Sequence, residues 1–234
     1  MFYKDPVPLN PDTHGSWRLL PERMNFVADT NALPIVAGEF VSIAQFYPIV
    51  FTVNDGAPLA AVGLRQHNLF VNDGKWDAGA YVPAYVRRYP FVFMQVPQED
   101  NFLLAIDAAS DQINRGGTAD GVALFEDGKP TDLVNNALRF CGEYTQEFER
   151  TQQFCKALRE QDLLVDRRVD ATTPDGRAMA AQGFQAVDVE KFSKLPDDIV
   201  IAWHRNGYLA LIHHHLSSLA RFGALVEREG ARPA

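Results

Sequence analysis

The spacing of apolar positions divides this 234-residue chain into stretches of different period. Between residues 49 and 106, apolar and β-branched residues come in short runs broken by turn signals. Residues 49–53 precede Asn54-Asp55-Gly56, a tight-turn signature, and residues 59–64 answer as a partner strand. Residues 69–71 lead into a second turn, Asn72-Asp73-Gly74, with Trp76 on its far side. The pattern predicts a meander of three or four antiparallel strands. Further strands are expected at 91–96 and 102–106, joined through 97–101. Both Asn-Asp-Gly turns lack the alternate oxygen ligands of a calcium loop, so they read as hairpin turns.

From about Asp132 to Gln161 the period changes. Ala137, Cys141, Tyr144, Phe148, Thr151, Cys155 and Leu158 alternate at spacings of four and three, while Glu143, Glu147, Glu149, Arg150, Lys156 and Arg159 fall off that stripe. This predicts a long amphipathic helix with Thr131 as its N-cap. Its stripe either lies across the protein's own sheet or forms a helical dimer seam, and the second reading admits a homo-oligomer.

Shorter elements fill the remainder. A helix is expected in 37–46, a strand near the end of 16–26, an edge strand at 163–169, a turn at 172–177 and a strand at 184–189. Residues 199–204 and 208–213 flank Arg205-Asn206-Gly207 and read as a hairpin. A helix–turn is the rival there, because Pro196-Asp197-Asp198 resembles a helix start. A last helix at 214–228 carries Leu216, Leu219, Ala220, Leu225 and Val226. The expected fold is α+β: a mostly antiparallel sheet with hairpins, one long amphipathic helix and a C-terminal helix. Residues 1–15 read as an N-terminal arm, 16–228 as a single domain with a soft internal boundary near 110–131, and 229–234 as a frayed tail.

Composition narrows the function classes. With 47% hydrophobic and 22% charged residues the chain can bury a core, and its 16 Phe make that core aromatic. The formal charge, 22 − 30 = −8, argues against nucleic-acid binding, which needs a basic surface. No basic segment followed by an apolar one opens the chain, and no apolar run approaches the roughly 18 residues of a membrane span. The expectation is a cytoplasmic protein without a transmembrane segment, with the cell surface through a non-classical route as the alternative. Cys141 and Cys155 sit in the predicted long helix, about 21 Å apart along its axis. A disulfide needs Cα atoms within about 7 Å, so these two thiols do not pair with each other.

Candidate chemistry is sparse. His213-His214-His215 offers metal-ligand side chains, and in a strand His213 and His215 would share a face. The run falls where strand is expected to become helix, which leaves that geometry open. There is no nucleophile elbow, phosphate-binding glycine loop or H-E-x-x-H motif, and no cofactor is expected. A metal- or His-dependent accessory enzyme using His204, His213 or His215 with carboxylates remains the alternative.

Residues 76–91, WDAGAYVPAYVRRYPF, mix aromatic, proline and cationic residues more densely than any other segment. Pro83 can open one helical turn. Trp76, Tyr81, Tyr85, Arg87, Arg88 and Tyr89 are the candidate binding residues, since Tyr, Trp and Arg dominate binding hot spots and Arg forks onto carboxylates. The competing reading has the aromatics capping the sheet under the Arg stems. The partner expected of such a tract is a protein or an anionic peptide.

The runs EFVSIAQFYPIVF (39–51), GLRQHNLFVNDGKWDAGAYVPAYVRRYPF (63–91) and NGYLALIHHHLSSL (206–219) resemble the bacterial SapC-like family, over roughly residues 14–228. The family takes its name from a protein tied to a bacterial surface layer. Some relatives are encoded beside outer-membrane receptors and tryptophan-halogenase-like proteins. The resemblance therefore implies an interaction or assembly protein linked to a surface layer or to an uptake or modification system. It supplies no catalytic residue set to carry over.

Overall fold

Pro6–Pro8, Phe102–Asp107 and Phe91–Gln95 form an antiparallel sheet in a computed structural model that describes residues 2–95, 102–116, 118–174 and 176–232. The predicted connection 97–101 lies outside the described residues. The chain makes two compact units, Met1–Phe26 with Val86–Gln146 and Val27–Tyr85 with Glu147–Ala234. The long helix, Asp132–Glu160, runs from the first into the second.

In the first unit, Phe102–Asp107 is the central strand, with Pro6 opposite Asp107 and Phe91 opposite Ile106. A small ladder beside it pairs Arg18–Leu19 with Ile113–Asn114 and with Val122–Ala123. Apolar side chains of the sheet and ladder, including Phe91, Ile106 and Ile113, meet Val134 and Cys141 of the long helix in one core. The N-terminal residues are tied in by more than the ladder. Asp107 is wholly buried, and its carboxylate accepts from the backbone N–H groups of Lys4, Asp5 and Ala109 and from the Tyr89 hydroxyl. A carboxylate taken out of water needs such a set of donors. The strand expected near the end of 16–26 lies earlier, at Arg18–Leu19, and Met24–Val27 is a 3-10 turn.

In the second unit a five-stranded antiparallel sheet has the order Leu164–Thr172, Ala178–Val187, Ile49–Thr52, Pro58–Ala61, Ala32–Pro34. Both predicted Asn-Asp-Gly turns connect antiparallel pairs. The second pair, Val71–Asn72 with Lys75–Trp76, is a separate two-stranded ladder, so the expected meander is split. The rear half of the long helix packs here: Phe154 stands 5.9 Å from Phe40 and 6.4 Å from Phe51, ring to ring.

The α+β expectation holds, and three further local readings change. First, the stripe of the long helix turns at its middle. Cys141, Tyr144, Thr151, Cys155 and Leu158 are buried as expected, but Phe148 is 45% exposed and Phe154 is wholly buried. The seam is covered by this chain's own residues, which removes the dimer-seam reading. Thr131 directly precedes the helix and its carbonyl accepts from the Asn135 N–H, while its hydroxyl donates to the carbonyls of Ala123 and Leu124. Second, the hairpin expected around Gly207 is a helical corner between Asp197–Asn206 and Tyr208–Ser218. Gly207 has φ 76° and its N–H closes on the His204 carbonyl. A positive-φ glycine ends a helix as readily as it turns a hairpin, and the acids after Pro196 favour the helix start. Third, the last helix breaks at a 3-10 turn, Leu219–Arg221, before Phe222–Gly230. It buries Leu211, Ile212, His215, Phe222 and Leu225, leaving Leu216, Leu219, Ala220 and Val226 outside the core.

Candidate functional site

The tract at 76–91 is positioned by a buried carboxylate. Glu39, 5% exposed, accepts from the Ala84 N–H at 2.6 Å, the Tyr81 hydroxyl at 3.1 Å and the Val36 N–H at 3.2 Å. Ala84 opens the single helical turn Ala84–Arg87 that Pro83 predicts. The first N–H groups of a helix have no partner within it, and a carboxylate there satisfies one and complements the helix dipole. Trp76 Nε1 donates to the Tyr47 hydroxyl at 3.1 Å, and that hydroxyl donates to the Tyr81 carbonyl at 2.7 Å. Burial first, with the Asp77 charge, pushes the wholly buried Tyr47 phenol upward against the pull of Trp76 and Arg228.

Burial sorts the candidate residues. Tyr85 and Tyr89 are buried, Trp76, Tyr81 and Arg88 half-buried, and Arg87 exposed. Tyr89 stacks on Phe26 with centroids 4.2 Å apart, and burial pushes its phenol up to about 12. Arg88 carries its guanidinium 4.2 Å from the Tyr144 ring centroid and 5.5 Å from that of Tyr3. Arg87 carries its own 5.1 Å from the Phe140 ring centroid. The two arginines thus serve different neighbours, as adjacent residues on a helical turn must. Tyr85 and Tyr89 are thus packed inside, Trp76 and Tyr81 keep part of their surface, and Arg87 is exposed.

Arg87 stands at a cleft of about 390 Å³ within the first unit. One face of the long helix also lines it: Leu133, Asn136, Ala137, Phe140 and Glu143 recur at three- and four-residue spacing. Leu19 and Phe91 add apolar surface, and Arg139 adds a third guanidinium. Arg139 donates to Asn136 Oδ1 at 3.1 Å and lies 4.0 Å from the Glu143 carboxylate, both exposed on the rim. Cys141 also lines the cleft; burial pushes its thiol up to about 11, with the Arg88 charge opposing. Desolvation likewise raises the Glu22 carboxyl, and the Arg87 guanidinium opposes that rise. The site is therefore cationic at its edge and apolar inside, a combination suited to an anionic group attached to an apolar body. Leu133, Arg139 and Phe140 were not singled out from the sequence. The signal for Leu133 and Phe140 is a second stripe one position off the main one, legible only once Arg87 is known to face it; Arg139 lies off that stripe.

The histidines separate. In the helix Tyr208–Ser218, His213 is exposed against the Phe192 ring and His214 lines an open groove with Val41 and Arg221. His215 is wholly buried: its Nε2 accepts from the Val187 N–H at 3.1 Å and its Nδ1 donates to the Ile49 carbonyl at 2.8 Å. Burial lowers it to about 4, against the hydrogen bond to Ile49. His213 and His215 do not share a face, since residues two apart on a helix diverge. Among the described residues no group of three or more His, Cys, Asp or Glu converges as a metal site. A buried Glu229 carboxylate binds His67 Nε2 at 2.9 Å with Arg65 at 3.8 Å, in the second unit.

No helix of the described residues is long and apolar enough to cross a membrane. No curated protein and no solved structure matches the chain. The SapC family model matches residues 9–225, nearly the whole length, with the tract and its cleft inside that span; the chain belongs to the SapC family.

Proposed function

We propose that this SapC-family chain is a non-enzymatic interaction protein that holds an acidic segment of a protein partner in the Arg87 cleft. The observation that carries the reading is the pairing of Arg87 and Arg139 with apolar Leu133, Ala137 and Phe140 on a protein of formal charge −8. A local cationic edge on an acidic surface steers anionic partners and rejects cationic ones. Phe140 and the helix face then supply apolar contact, the part of an interface that carries affinity.

The test is capture of fluorescein-labelled acidic peptides by wild type and by the double variant Arg87→Ala, Arg139→Ala. Binding that disappears in the double variant while the melting temperature stays near wild type supports the reading. Equal binding by both proteins, or no binding by wild type, removes it. A partner in a surface layer or in an uptake or modification system is the direction in which the family name points the search. The separated environments of His213 and His215 give a His-dependent enzyme no geometric support.

A further inference from the structure

We infer that the feature read by the Arg87 cleft is the carboxyl terminus of a polypeptide bearing an apolar side chain at its end. The inference rests on the cleft reading above and names what enters it. Three properties of the cleft converge. The Arg87 guanidinium, 5.1 Å from the Phe140 ring centroid, is held as a planar fork rather than a mobile point charge. That geometry matches the two coplanar oxygens of a carboxylate. Leu133, Ala137 and Phe140 lie alongside on one helix face and suit an aliphatic or aromatic side chain. Asn136 and Glu143, on the same face, bring acceptor oxygens that backbone N–H groups of a ligand can reach in place of Arg139.

A ligand carrying a carboxylate, an apolar side chain and backbone N–H groups within a residue or two of each other is a peptide end. An internal Asp or Glu differs, because its chain continues in both directions. A cleft of about 390 Å³ lies toward the small end of ligand sites, which span roughly 300–1,000 Å³, and suits a terminus better than a threaded strand. A phosphate brings no apolar part to Leu133, Ala137 and Phe140 and no N–H donor to Asn136 and Glu143. A fatty acid has the carboxylate and the apolar body but no N–H donor for Asn136 and Glu143.

The experiment uses the full chain and fluorescence anisotropy. The probes are a labelled hexapeptide ending in Phe with its carboxylate, the same peptide as a carboxamide, and a carboxamide hexapeptide with one internal Asp. Octanoate and inorganic phosphate serve as unlabelled competitors. The expected result is binding of the acid, at least about 10-fold weaker binding of its amide, and a similar loss in Arg87→Lys, which keeps charge but not the fork. Glu143→Gln should keep the preference for acid over amide. Equal affinity for acid and amide overturns the inference, as does competition by octanoate or phosphate at the peptide's own concentration. If the internal-Asp peptide binds as well as the terminal acid, the terminus assignment falls while the acidic-segment reading stands. If no peptide binds, both fall.

Discussion

The guanidinium of Arg87 lies over the ring of Phe140, 5.1 Å from its centroid. The contact joins the cationic tract to the long helix within one unit and sets the edge of the cleft. Its neighbour Arg88 is used differently, with its charge laid 4.2 Å from the Tyr144 centroid. Two adjacent arginines thereby acquire separable phenotypes.

Arg87→Ala should weaken anionic-peptide binding about 10-fold or more, the worth of a charge-assisted hydrogen bond, while thermal stability stays near wild type. Arg88→Ala should instead cost about 1–2 kcal/mol of stability, because its cation–π contacts are partly desolvated. Parallel anisotropy and thermal melts check the split; loss of stability in Arg87→Ala comparable to that in Arg88→Ala would contradict it.

Stability should fall on acidification through His215. Its folded value is lowered to about 4, below the ordinary 6.5, so the unfolded chain takes up the proton first. The contribution is complete above pH 6.5 and is lost progressively as pH falls toward 4, by about 3 kcal/mol in all. Urea midpoints measured from pH 7 to pH 4 should show this slope, and His215→Gln should flatten it at a cost in stability at pH 7.

The two cysteines should be slow nucleophiles. Burial pushes Cys141 up to about 11 and Cys155 up to about 12, so at pH 8 about one Cys141 in a thousand is thiolate. Native protein should resist iodoacetamide over a time in which urea-unfolded protein is fully alkylated, and intact mass resolves the two. Cys141, which lines the cleft, should react before Cys155.

Truncation along the long helix should follow burial, not the heptad. Phe154→Ala should cost about 3–5 kcal/mol, since the ring is wholly buried against Phe40 and Phe51. Phe148→Ala should change stability by no more than about 0.5 kcal/mol, because nearly half of that side chain is already in water. Chemical denaturation of the two variants checks the contrast.

Much of the architecture was legible along the chain because it is local. Two Asn-Asp-Gly turns, a stripe of period near 3.5 and Pro83 before a helical turn each depend on residues a few positions apart. The long helix was placed from its own spacing almost to the residue. The region around Gly207 was misread because its signal is also local and satisfies two structures: positive φ serves a hairpin and a helix end alike. Tertiary packing chose the helices, by burying Leu211, Ile212 and His215 at helical spacing.

By itself the sequence determined the α+β class, the extent of the long helix, the hairpin turns and the family to which the chain belongs. Only the tertiary structure decided which side chains of those elements face water. Glu39 reaches Ala84 across 45 positions, and Arg87 meets Phe140 across 53. Periodicity states that a face is apolar, but not what it meets. The exchange of Phe148 for Phe154, the separation of the three histidines and the cleft itself follow from which surfaces come together. The free energy of burial belongs to that meeting of surfaces rather than to either surface alone.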